Sequence, residues 1–156
     1  MYYEFYTDPE RSKLITSQAK LGRQVIKLGR KVRKKEKEID KIEGIAEELK
    51  EKEKELNEII DRWEEKKAKT IKIGDVIPEE FDGEVAEKQA KELPGIFEEM
   101  DGNVKHISNL VEGIHSQVLK INSHKTDLQI QVNYLKRQID SKDSEIKSIA
   151  RQLLNM

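Results

Sequence analysis

The side chains best suited to bind a metal or move a proton are the three histidines, His106, His115 and His124. They stand nine residues apart, an interval that does not return to one face of a 3.6-residue helix. They therefore do not read as a joint metal site. The chain has no cysteine, which removes disulfides and thiolate ligands. Acid pairs such as Glu47-Glu48 and Glu64-Glu65 sit among lysines at i,i+4, the pattern of exposed helix faces. No Gly-rich phosphate loop, HExxH, GxSxG or EF-hand pattern occurs. The sequence offers no catalytic candidate. It implies a protein that is not an enzyme and takes no cofactor or metal.

The elements that must position these residues are helices. Of 156 residues, 39% are charged, 35% hydrophobic and only 5% aromatic. Thirty bases against 31 acids leave a net charge of −1, which argues against a disordered polyelectrolyte. A charge-balanced, Glu/Lys/Ile/Leu-rich chain has the composition of long helices and coiled coils. No run approaches the roughly 18 apolar residues of a membrane span. The opening Met-Tyr-Tyr-Glu-Phe-Tyr lacks the basic and apolar regions of a signal peptide. A cytoplasmic location is expected, with any export reading another signal.

Apolar residues fall on two heptad seams. In the first, d positions run Leu14, Leu21, Leu28, Lys35, Ile42, Leu49, Leu56 and Trp63, and a positions include Val25, Val32, Ile39, Ala46 and Ile60, interrupted by Gln18 and Glu53. The second carries mostly β-branched a residues, among them Val104, Val111, Val118, Val132 and Ile139, with Lys125 at a and Lys142 at d as its interruptions. Two sustained heptad seams joined by a short connection predict an all-α fold, a long antiparallel helical hairpin or coiled coil with a short structured loop. The expected order is a tail over 1–7, helix 1 over 8–69, a loop over 70–83 and helix 2 over 84–156, in a single domain. Thr7 fits the N-cap, with Pro9 in the first turn and Glu10 closing a capping box. Pro94-Gly95 should kink helix 2. Ile71, Ile73, Val76 and Ile77 around Gly74-Asp75 could form a small hairpin or cap. A return about a midpoint near 74–75 makes facing residue numbers add to roughly 149, pairing Ile42 with Ile107. Phe81, the one aromatic residue of the loop, is expected to pack near Ile60 and Trp63.

Such a hairpin buries one stripe per helix, so a protein partner is expected, either a second copy or another protein. Residues 11–35 carry ten bases and no acid, whereas 36–101 carry 23 acids and 12 bases. This dipole favours end-specific association. The basic run has no aromatic residues to stack on bases, which argues for a solvated or protein-docking face over nucleic acid. Within it lies a repeat, Leu21-Gly22-Arg23-x-Val25 and Leu28-Gly29-Arg30-x-Val32. Each interior glycine costs a helix about 1 kcal/mol relative to alanine. Gly22, Arg23, Gly29 and Arg30 read either as a partner-binding stripe for a closely approaching helix or as tolerated gaps on a solvated face.

Phe81-Asp82-Gly83, followed by Val85-Ala86 and a long helix, resembles the Trp-x-Gly bend of the WXG superfamily of type VII secretion. The charged first helix and long second helix are most similar to the small helical partners of LXG toxins. In that group such proteins bind the toxin's helical N-terminal domain, sometimes with another small helical protein, and help present it for export. The resemblance therefore implies a non-enzymatic adaptor, cytoplasmic or secreted with its partner. Phe97-Glu98-Glu99-Met100-Asp101 resembles the Phe-x-x-x-Asp variant of the secretion motif, with Phe97 and Asp101 as its key residues. Phenylalanine in place of tryptophan and the greater length depart from the pattern. The other reading of the same residues is a self-assembling structural coiled coil of a phage, cytoskeletal or chaperone-like complex.

Overall fold

A computed structural model gives the structure of the protein and describes residues 8–76 and 84–156, with side chains described over 8–72 and 91–156. Two helices make up the order, α1 over Pro9–Val76 and α2 over Glu84–Leu154. They pack against each other in two units. One combines residues up to Glu43 with Ser123–Met156, and the other is Gly44–Asn122. In both units the helices run antiparallel, as the all-α hairpin expectation requires.

The α1 start differs by one residue from the sequence expectation. The Glu10 amide donates to Asp8 Oδ1 at 3.0 Å, and the Ser12 amide donates to the Asp8 carbonyl at 3.0 Å. Asp8, not Thr7, is therefore the N-cap, with Pro9 at the first helical position, where its missing N–H goes unneeded. Thr7 itself lies outside the described residues. The end of α1 differs more. The helix runs through Val76, so 70–76 are helical and not the start of the loop, and no hairpin forms at Gly74-Asp75. Thr70 Oγ1 donates back to the Lys66 carbonyl at 2.8 Å, which keeps it inside the helix instead of opening a turn. Pro94 lies inside an uninterrupted α2.

Both seams lie where the heptads place them. Every a and d residue named above is buried or half-buried wherever its side chain is described, while Met100, the d residue beside Phe97, stays 37% exposed. In the first unit Val32, Ile39, Leu128 and Val132 form the buried cluster, with Ile42, Leu135 and Ile139 packed on it. In the second, Ala46 and Val118 are the buried apolar residues.

Four of the five polar interruptions of the seams, all but Gln18, are paired across the helices. Lys35 Nζ donates to Gln131 Oε1 at 2.6 Å, and Lys142 Nζ to Gln24 Oε1 at 3.0 Å. Lys125 Nζ meets Glu43 at 2.6 Å, and Glu53 meets His115 Nδ1 at 3.7 Å. The d lysines thus reach g residues, and the a residues reach e residues, of the opposite helix.

These pairs correct the expected register. Their residue numbers add to between 166 and 168, not about 149. The extension of α1 through Val76 moves the return toward the C-terminus, so Ile42 packs on the Leu128–Val132 cluster and not opposite Ile107. Paired cysteines test this in a chain that has none of its own. Ile39→Cys with Leu128→Cys should close an intrachain disulfide on mild oxidation, seen as a mobility shift on non-reducing gels. Ile42→Cys with Ile107→Cys should leave both thiols free.

Candidate partner-binding surfaces

The Phe97…Asp101 pair is one turn apart on α2, and the Gly44–Asn122 unit sets it against Trp63 and Lys67, one turn apart on α1. The Trp63 and Phe97 rings pack tilted by 60° with centroids 6.2 Å apart, a favoured aromatic geometry. Trp63 Nε1–H donates to Asp101 Oδ1 at 3.2 Å, and Lys67 Nζ donates to Oδ2 at 2.5 Å. The same ammonium group stands 5.8 Å from the Phe97 ring centroid, a cation–π contact. One lysine thus binds both members of the sequence motif.

Both carboxylate oxygens of Asp101 have donors from within the unit, and these set its acidity. The Lys67 hydrogen bond, then the Trp63 indole N–H, hold its carboxyl below the ordinary aspartate value of 3.8. The cluster joins the two helices of the unit. Trp63 appeared in the sequence as a seam residue expected to meet Phe81. Phe81, Asp82 and Gly83 lie outside the described residues. Lys67 was not singled out, although its spacing of four from Trp63 mirrors that of Asp101 from Phe97.

The glycine-arginine stripe lies on α1 in the other unit. Gly22 and Gly29 are half-buried beside the seam, and Arg23 and Arg30 are exposed. A Cβ at either glycine would meet no atom within 4 Å. The chain's own packing therefore requires neither glycine. Arg23 Nε donates to the Ala19 carbonyl at 3.4 Å. None of the nine basic residues from Arg11 to Lys34 makes an ion pair among the described residues. The structure places the four stripe residues on one open, cationic face.

The histidines are dispersed. His115 faces Glu53, His124 Nε2 lies 3.7 Å from Glu38, and His106 lines an open groove. Among the described residues no three His, Cys, Asp or Glu side chains gather as metal ligands, and no helix is long and apolar enough to cross a membrane. Comparison with protein-family models, curated proteins and solved structures finds no match to this chain.

The Asp101 contacts set the sign of a pH effect. A carboxyl whose folded-state value is depressed adds stability above its unfolded value and loses it as pH falls through the folded one. Asp101→Asn should therefore melt below the parent at pH 7, and the two melting curves should converge below pH 3.8. Thermal circular dichroism across that range checks this.

Proposed function

We propose that the chain is a non-enzymatic helical adaptor that binds the helical N-terminal domain of a type VII-secreted LXG toxin and helps its export. The observation that carries the reading is the open Gly22–Gly29 stripe. It combines two glycines with empty space before them and a run of bases without ion pairs among the described residues. A helix with acidic edges fits there, because the missing side chains admit a close backbone approach and the arginines supply charge-assisted hydrogen bonds. The resemblance of Phe81-Asp82-Gly83 to the WXG bend supports the same reading. Phe97 and Asp101 then act in the adaptor as a brace between its helices, with any role in export depending on release from Trp63 and Lys67.

A self-assembling structural coiled coil is the second reading, supported by the heptad seams and the half-exposed isoleucines on the surface. Replacing Gly22 and Gly29 together with leucine separates the two. Each change should raise intrinsic helix stability by up to about 1 kcal/mol, and the new side chains enter open space. The adaptor reading expects an equally helical, more heat-stable chain that fails to co-purify with the toxin's N-terminal domain. Retained co-purification returns the stripe to a solvated face and leaves the structural reading standing.

A further inference from the structure

The Gly44–Asn122 unit has a surface feature that its seam does not use. In an antiparallel pair the g positions of both helices share one flank, as the Glu38–His124 contact shows in the other unit. In that unit the g residues are polar, among them Gln24, Lys31, Gln131 and Gln138. In Gly44–Asn122 four of the eight such positions with described side chains hold Ile45, Ile59, Ile96 and Leu110, exposed by 47–57%, alternating with Lys52, Lys66, Asn103 and Gln117. Beside them an open groove of about 620 Å³ is lined by Leu49, Leu110, Ile114 and Ile121, with Gly113 and Gln117. Apolar a, d and g positions together are the pattern of a helix buried on two sides, as in a bundle.

The charges along the edges of this flank identify what covers it. The edges are the c positions, next outward from g. On α1 they read Glu48, Glu55, Arg62, Lys69, two acids followed by two bases. On α2 the described ones read Glu92, Glu99, His106, Gly113 and Lys120, acids at one end and a base at the other. Reversing the α1 edge end for end exchanges its signs, and on α2 the reversal that carries Glu99 onto Lys120 sets acid on base and leaves Glu92 without a counterpart in the unit. The reversal points lie at 58–59 on α1 and 109–110 on α2. Those points face each other in the unit's own register, whose pairs Glu53–His115 and Lys67–Asp101 also add to 168. One two-fold axis therefore serves both helices.

We infer that a second copy of this chain covers the flank, related by that two-fold axis, so that two Gly44–Asn122 units form an antiparallel four-helix bundle. Glu55 then meets Arg62 of the second copy, Glu48 its Lys69 and Glu99 its Lys120. Ile59 and Leu110, nearest the axis, each meet their own equivalents. An isologous contact must be self-complementary in this way. Existing pairs do not compete strongly. Glu55 touches Lys52 at 3.3 Å, Arg62 touches Glu58 at 3.9 Å and Lys69 touches Glu65 at 3.1 Å, all within α1 and with side chains at least half exposed. Such exposed pairs contribute little and exchange readily. Glu48, Glu99 and Lys120 make no ion pair among the described residues. One cost is local: Lys66 comes level with Lys52 of the second copy, and their flexible stems must carry the ammonium groups apart, toward the edge acids.

A charge-exchange pair tests the arrangement on the full chain alone, apart from any toxin. Variant X carries Glu48→Lys and Glu55→Arg, which makes its α1 edge wholly basic. Variant Y carries Arg62→Glu and Lys69→Glu, which makes its edge wholly acidic. Sedimentation equilibrium should find the parent dimeric at about 100 μM, and X and Y each weakened in self-association by about tenfold or more. An equimolar mixture of X and Y should recover the dimer, because each edge then meets its opposite. Circular dichroism confirms that X and Y remain helical. Should either unfold, single cysteines in the parent decide instead. Leu110→Cys should oxidise to a disulfide-linked dimer, and Ile45→Cys, on the same flank but off the axis, should not. A parent that is monomeric at this concentration overturns the inference and leaves the flank to a foreign helix. X and Y that dimerise as well as the parent, or a mixture that does not recover, overturn it too.

Discussion

The register of the two helices depends on the polar residues placed inside their seams. Apolar a and d packing alone repeats every seven residues, so a slip of one heptad would preserve most of it. The same slip would strip Lys35 from Gln131, Lys142 from Gln24, Lys125 from Glu43 and Glu53 from His115. Each contact is modest by itself, since partly exposed pairs contribute at most about 1 kcal/mol. Their value is discriminatory: together they are satisfied in one alignment. The packing of Trp63 on Phe97 and the facing of 58–59 with 109–110 both follow from that choice.

The seams themselves were legible from sequence because a heptad is a local pattern. Lys35, Glu53, Lys125 and Lys142 already appeared as its interruptions, and their side chains lie at the helix interface. Register was not legible for the same reason, since a periodic seam fixes it only to within a multiple of seven. The connection had to choose among the alternatives, and Thr70–Val76 reads as loop because glycine, aspartate and β-branched residues crowd together there. Extending α1 through those residues displaced every cross-helix pair. The spacing of Phe97 and Asp101 was visible, but Trp63 and Lys67 as their partners required the register. Asp8 and Thr7 compete for the same cap, and only backbone geometry separates them.

The two units use one seam differently. Six apolar residues are buried among those described, and four of them form the cluster around Val132. The first unit pairs its seam with polar flanks and a cationic outer face. The second lowers the charge of α2, with three charged residues from Gly102 to Asn122, and places isoleucine and leucine on a flank. None of the six described helical glycines is required by contacts within the chain. Glycine at these sites gives up helix propensity without any return from packing inside one copy. Stability is therefore distributed unevenly over a molecule of nearly uniform secondary structure.

The sequence separation of the cross-helix contacts has a consequence for the order of folding. Cross-helix polar contacts in the second unit span 34 to 62 residues, whereas those in the first span 82 to 118. Closing the longest loop rather than the shortest from an open chain costs about 1 kcal/mol more in entropy, and the first unit cannot begin to pair until α2 has been synthesised past Ser123. Once the second unit has closed, the remaining turns of the first can add to it in sequence. On the ribosome the α1 residues before Gly44, including the basic stretch, therefore wait without their α2 partners while the middle of the chain folds. The window in which that seam is open is set by the rate of translation of α2.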